Sequence, residues 1–174
     1  GNFELFSWIH LGAPTAQPAT TYRALRQPRL TELMLQLRKA SSCLYFERRT
    51  EGEQLKAAMK TPHIVLGLLA DQNAGDHGLW LPVFGRDTSV SPAPAVFAQR
   101  YKCRLFPSAC FRTEPGRWHI ELGEEIPTRT EGKRRSTQAI TQDIIAAQEE
   151  TIRRDPANWF WVHNRWKPRS NAHE

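Results

Sequence analysis

Two carboxylates stand where carboxylates do chemistry in α/β proteins. Asp71 follows directly on the apolar run His63–Ala70 (HIVLGLLA), and Glu4 sits in the first turn of an apolar segment at the start of the chain. In open α/β sheets ligands gather beyond the carboxyl ends of strands. An acid just past a strand is therefore placed for general acid–base work or for gripping a polar substrate. Both residues also have plainer uses. A carboxylate in a first helical turn is stabilised by the helix dipole, and an Asp after a strand often caps a turn. Other catalytic patterns are missing: there is no Gly-x-Ser-x-Gly elbow, no phosphate-binding Gly-rich loop and no His-Glu-x-x-His. His10, His63, His77, His119, His163 and His173 lack metal-ligand spacing, so no metal is expected.

Periodicity predicts the elements that must carry these acids. Phe3, Leu5, Phe6, Trp8 and Ile9 predict a buried helix over 2–10, ended near Gly12 and Pro14. Thr20–Leu25 and Cys43–Phe46 read as short strands. Leu30, Leu33, Met34 and Leu37 follow the i, i+3, i+4, i+7 pattern of an amphipathic helix. Leu55, Ala58 and Met59 share one helical face, and Pro62 stops that helix. His63–Ala70 suits a central strand covered on both faces. A polar, Gly-containing loop follows over 71–78. Pro94–Tyr101 reads as a helix. Leu105–Phe111 and Trp118–Leu122 alternate as strands about a turn at Pro115–Gly116, with Pro107 marking an edge or bulge. Ser136–Arg154 is the clearest helix, with Ser136 as N-cap, a stripe of Ile140, Ile144, Ala147 and Thr151, and Pro156 beyond its end. Strands alternating with helices predict a single α/β domain over 1–174, with a mostly parallel central sheet flanked by helices.

The composition, 40% hydrophobic and 24% charged over 174 residues, is that of a globular domain. The net charge of +6 favours an anionic partner: a nucleic acid, an anionic membrane, a phosphorylated lipid or an acidic carrier protein. Basic residues collect at Lys133–Arg135, Arg153–Arg154 and Arg165–Arg169, and the first group reads as a solvated face. No nucleic-acid partner is expected, because no RNA-binding or zinc-finger signature is visible and the apolar 63–70 run points to a buried sheet. Cys43, Cys103 and Cys110 are an odd number without Cys-x-x-Cys spacing, as expected of free structural thiols in a reducing compartment. Six Trp either fill the core or sit at a lipid boundary. The longest apolar run, Ile64–Ala70, is far short of the ~20 residues that span a bilayer.

Five segments, in order, carry a resemblance. They are Gly1-Asn2-Phe3-Glu4-Leu5, Tyr22-Arg23, Leu68-Leu69-Ala70-Asp71-Gln72, Gly78–Arg86 (GLWLPVFGR), and Ile152-Arg153-Arg154 continuing through Trp159-Phe160-Trp161-Val162-His163-Asn164-Arg165-Trp166-Lys167. Together they resemble the bacterial lipid A lauroyl/myristoyl acyltransferase family over residues 1 to about 168. Phosphatidylinositol mannoside and glycerol phosphate acyltransferases are more distantly similar.

The resemblance implies a glycerol phosphate acyltransferase-like α/β sandwich at the cytoplasmic face of a bacterial inner membrane. It places a catalytic His five residues before Glu4, two positions upstream of Gly1. The chain as given is then expected to be inactive, with a sheet edge left unpaired and an anchor upstream. Residues five apart on a helix differ by about 140°, so that His must fold back from the turn before the helix. It would act as general base on an acceptor hydroxyl attacking a thioester, with Glu4 orienting the imidazole and Asp71 as a second acid. Asn2, Arg23, Arg48 and Gln72 are the substrate-binding candidates, the two Arg toward phosphate or the oxyanion; as a plainer use, either Arg is a surface charge. Arg165, Trp166 and Lys167 would meet an anionic membrane surface; alternatively the Trp pack and the cations face water. No cofactor is implied. The donor would be an acyl-acyl carrier protein or acyl-CoA and the acceptor a phosphorylated glycolipid. Alternatives are a phosphatidylinositol mannoside or lysophospholipid acyltransferase, and a non-catalytic lipid-binding homologue.

Overall fold

In the computed structural model, which describes residues 2–169, the chain divides into two units, Asn2–Leu68 and the remainder from Leu69. Each has its own local logic. The first opens on a 3-10 helix, Phe3–Leu11, where a buried helix is predicted. Asn2 caps it by accepting the Glu4 backbone N–H at 3.2 Å. Only Ser7 of this helix is buried, while Phe3 and Trp8 lie exposed. Three strands and two α-helices follow: β1 (Gln17–Tyr22), α1 (Pro28–Arg38), β2 (Leu44–Glu47), α2 (Gly52–Ala58) and β3 (Ile64–Gly67). The strands are parallel in the order β2-β1-β3, so each helix is a crossover connection between parallel strands.

Two expectations shift here. The apolar run His63–Ala70 is not a central strand covered on both faces. Its four paired residues form an edge strand that alternates between half-buried and exposed, and Val65 and Leu69 face outward. The central position belongs to β1, whose Pro18 is tolerated because pairing with β2 begins only at Ala19. The α1 helix forms as predicted, with Pro28 at its start where a missing N–H costs nothing. Its leucine stripe points the other way, though: Leu30, Leu33 and Leu37 are exposed, Leu37 at 75%. The half-buried face is Thr31, Met34, Leu35 and Arg38, the same helical spacing one step around. Two polar contacts hold that register: the Leu25 N–H donates to Thr31 Oγ1 at 2.9 Å, and Arg38 is paired with Glu4.

Among the described residues the second unit contains three antiparallel hairpins and two α-helices. They are β4 (Leu79–Val83) with β5 (Arg86–Val90), α3 (Ala93–Tyr101), β6 (Ser108–Glu114) with β7 (Arg117–Leu122), the minimal pair β8 (Arg129–Thr130) and β9 (Lys133–Arg134), and α4 (Thr137–Arg154). The β6–β7 hairpin turns at Pro115–Gly116, as expected, with a register shift between Arg112 and Glu114. The β4–β5 hairpin is a new element; Phe84 and Gly85 both take positive φ at its two-residue turn. Gly78 enters that hairpin so closely that an added Cβ would stand 2.1 Å from Ser89 Oγ. Helix α4 is capped by Ser136, whose Oγ accepts the Ala139 N–H at 3.1 Å. Its buried face serves two clusters: Ile145 with Leu81, Val83 and Val90, and Ile140 and Ile144 with Ala95 and Ile126. Burying each such aliphatic side chain contributes roughly 1.5–3 kcal/mol, so α4 is the element on which the unit condenses. The molecule is a mixed α/β protein with a parallel sheet flanked by helices and small antiparallel sheets. Among the described residues no helix is long and apolar enough to cross a membrane.

Candidate functional site

In the first unit the Glu4 carboxylate is gripped from two sides by one guanidinium. Arg38 donates Nε–H to Oε2 at 3.0 Å and pairs through Nη2 with Oε1. This two-pronged geometry is what a planar guanidinium offers and an ammonium cannot. The bond to Glu4 raises the Arg38 pKa above its ordinary value. The guanidinium also lies 5.2 Å from the Tyr45 ring centroid. Arg38 is mostly covered, its side chain 16% exposed, whereas Glu4 stays 41% exposed and open to a further partner. Asn2, expected at substrate, spends its side-chain oxygen on the helix cap. Cys43 lies in the same neighbourhood as an unpaired thiol, pushed up to about 11 mainly by burial; hydrogen bonding to Tyr45 and the Arg38 charge only partly oppose this.

Arg23 and Arg48 follow the carboxyl ends of the neighbouring parallel strands β1 and β2, where Tyr22 is the register partner of Glu47. Both are exposed, as is Arg49. One buried carboxylate ties their two loops together. Glu47 accepts N–H groups from Arg49 at 2.6 Å, Thr50 at 2.9 Å and Ala24 at 3.4 Å. Burial raises the Glu47 pKa, but these donors outweigh it and hold the carboxyl below its usual range. A basic edge on a fixed backbone is chemically suited to an anionic group such as phosphate.

In the second unit, Asp71 sits half-buried at the start of the turn before the β4–β5 hairpin. Its Oδ2 accepts the indole N–H of Trp159 at 3.0 Å. The next residues are held by the same C-terminal segment. The Asn73 N–H donates to His163 Nε2 at 2.9 Å, and Asn73 Nδ2 donates to the Arg165 carbonyl at 2.9 Å. Thr88 Oγ1 donates to that carbonyl at 2.5 Å, and Arg165 Nη1 donates to the Ser89 carbonyl at 2.7 Å. Gln72 is exposed, between Asp71 and Asn73.

This geometry corrects the expectation that Arg165 and Trp166 face an anionic surface. Arg165 is 1% exposed. Its carbonyl and guanidinium lock the hairpin, so the side chain is turned inward by hydrogen bonds that the polar strand β5 supplies. Burial lowers its pKa, and the negative charge of Asp71 works against that shift. Trp166 is half-buried, donates Nε1–H to the Val83 carbonyl at 3.2 Å and lies under Arg86. Of the three, Lys167 alone is exposed. The apolar tip of the segment is instead Phe160, Trp161 and Val162, all exposed, Val162 at 85%.

Arg38, Glu47 and Trp159 are the residues that sequence reasoning missed as partners. Arg38 carried one signal, its i+4 spacing from Met34 on the inward face; the contacts of Glu47 and Trp159 are set by tertiary structure. Among the described residues no group of His, Cys, Asp and Glu could hold a metal ion. A family model described as bacterial lipid A biosynthesis acyltransferase matches residues 3–168. No curated protein matches the chain.

Proposed function

We propose that this chain, which belongs to the bacterial lipid A biosynthesis acyltransferase family, moves a fatty acyl group from an acyl carrier protein or CoA thioester to a hydroxyl of a phosphorylated lipid A precursor. An acyltransferase of this family takes an acyl donor and a lipid acceptor. The observation that carries the finer reading is the Glu4–Arg38 pair: an exposed carboxylate held in one orientation, with room for a second partner. That partner is the imidazole that the family pattern places two positions before Gly1. The imidazole takes the proton of the acceptor hydroxyl, whose oxygen forms the new C–O bond at the thioester carbonyl. The tetrahedral oxyanion collapses, the C–S bond breaks, and the imidazolium returns the proton to the leaving thiolate. Glu4 orients the ring and stabilises its cationic form.

Arg23 and Arg48 contribute positive charge for a phosphate or for the oxyanion. Asp71, with Gln72 beside it, offers a carboxylate to the acceptor. The exposed tip Phe160–Val162, followed by Lys167, suits contact with an anionic lipid surface, in keeping with work at the cytoplasmic face of an inner membrane. The test compares the full-length protein with its Glu4→Ala variant, using labelled dodecanoyl-acyl carrier protein and a membrane glycolipid extract. Loss of transfer by about 10²-fold supports the reading, as expected when a group supporting a general base is removed. Absence of transfer to any lipid fraction by the unaltered protein overturns it in favour of a lipid-binding relative; transfer to phosphatidylinositol mannosides or lysophospholipids alone reassigns the acceptor.

A further inference from the structure

Asp71 is fixed by a segment almost ninety residues away in sequence. We infer that Trp159–Arg165 is a positioning device for the Asp71 carboxylate: Trp159 holds one carboxylate oxygen, and His163 and Arg165 hold the turn on which the residue rides. The indole N–H of Trp159 reaches Oδ2 at 3.0 Å. Among the described residues no hydrogen bond reaches Oδ1, so one oxygen is anchored and the other is left to a substrate. The backbone just beyond is closed from the same direction by His163 Nε2 on the Asn73 N–H, at 2.9 Å. Accepting that N–H requires a neutral imidazole with its own proton on Nδ1. The Arg165 carbonyl receives both Asn73 Nδ2 and Thr88 Oγ1, which joins the turn to β5. The buried Arg165 guanidinium bonds the Ser89 carbonyl, and its charge acts on Asp71. The rings of Trp161 and Trp166 pack edge-on to Trp159, with centroids at 4.6 and 6.2 Å, so the indole that carries the donor is itself restrained.

Any packed segment pairs its buried polar groups; what is particular here is where the partners lie. Here the donor on Trp159 and the acceptors on His163 and Arg165 all converge within three residues of one acid. The consequence is geometric: catalytic groups lose rate steeply when displaced by fractions of an ångström, so residues that never touch substrate can still set turnover. The inference rests on Asp71 taking part in the transfer, and the experiment separates the two claims.

Trp159→Phe keeps an aromatic ring but removes the N–H together with the second ring of the indole. In the full-length protein, with dodecanoyl-acyl carrier protein and a glycolipid extract, it lowers kcat about 10-fold, the equivalent of one hydrogen bond to a charged group, and leaves both KM values unchanged. In the Asp71→Asn background the same change costs nothing further, because the bond it would break no longer holds a carboxylate. His163→Ala, which frees the turn from its other side, gives a second cycle with the same coupling should Trp159→Phe not fold. Equal costs in both backgrounds, or an unchanged kcat, reduce the segment to a structural clasp and overturn the inference while the proposed function stands. Full activity of Asp71→Asn removes Asp71 from the reaction and overturns the inference with it.

Discussion

The Arg38 guanidinium meets the Glu4 carboxylate with two donors, Nε–H to Oε2 at 3.0 Å and Nη2 to Oε1, across 34 residues of sequence. The helix that delivers Arg38 leaves Leu30, Leu33 and Leu37 exposed on its other side. Arg38→Lys replaces a planar fork with a point charge and leaves Glu4 free to rotate. Activity of the full-length protein should fall about 10-fold for Arg38→Lys and about 10²-fold for Arg38→Ala, as expected for a displaced catalytic group. Steady-state acyl transfer measured for both variants checks the ranking; equal activity of Arg38→Lys and the unaltered protein would show that the fork is dispensable.

Glu47 makes the loops of Arg23 and Arg48 depend on pH. Its carboxyl is held below the usual range in the folded chain, because three N–H donors outweigh the effect of burial. A depressed carboxylate pKa contributes stability above the unfolded value, near 4.3, and that contribution is lost as pH falls through the folded value. Glu47→Gln should therefore lower the melting temperature at pH 7. The gap between the two proteins should narrow as pH drops below about 4. Thermal melts at pH 7, 5 and 3 test this; a gap as wide at pH 3 as at pH 7 contradicts it.

The pattern of what could be read beforehand follows from the range of the interactions. Helix α4 was legible because Ser136 and the Ile140–Ile144 spacing are local signals, and both appear as expected. The Asp71 turn was legible as a place, since a polar stretch follows an apolar run. Its partners were not, because Trp159, His163 and Arg165 reach it through contacts far apart in sequence. The same cause hid the β4–β5 hairpin. No element is predicted over Thr88 and Ser89, yet both are buried, their hydroxyls bonded to the Arg165 and Gly75 carbonyls. The continuous apolarity of His63–Ala70 misled in the opposite direction: apolar content does not distinguish a central strand from an edge strand when the sheet partner is unknown.

Cys43 should behave as an inert thiol. Burial pushes it up to about 11, so at pH 8 only about one molecule in a thousand carries the reactive thiolate. In a Cys103→Ser/Cys110→Ser background, alkylation by iodoacetamide at pH 8 should run roughly 10²-fold slower in the folded than in the unfolded chain. It should accelerate steadily with pH up to about 11. A rate at pH 8 equal to that of a free thiol would show Cys43 to be more accessible than its surroundings indicate.

Arg165 is a buried cation, and its removal should depend on what replaces it. Desolvation acts against the charged side chain, and the Asp71 charge offsets part of that. Arg165→Met fills most of the volume and removes the desolvation cost, so it should change stability by about 1 kcal/mol or less. Arg165→Ala leaves a cavity and should cost about 3 kcal/mol. Denaturant midpoints for the two variants check the order; Met as costly as Ala would mean that the bond to the Ser89 carbonyl outweighs packing.

The tip Phe160-Trp161-Val162 presents three consecutive exposed apolar side chains, with Lys167 exposed shortly after. Surface apolar residues are common singly, but an aromatic-rich run at a turn, in a chain of net charge +6, matches the amphipathic character of the bilayer interface. Val162→Asp places a negative charge at the most exposed point of the tip. Co-sedimentation of the full-length protein with vesicles containing anionic phospholipid should fall several-fold for this variant, and Lys167→Glu should weaken it further at low salt, since each basic residue near such a surface contributes about 1 kcal/mol. Unchanged co-sedimentation of both variants would assign membrane contact to another part of the protein and leave the tip as the outer cover of the Trp159 cluster.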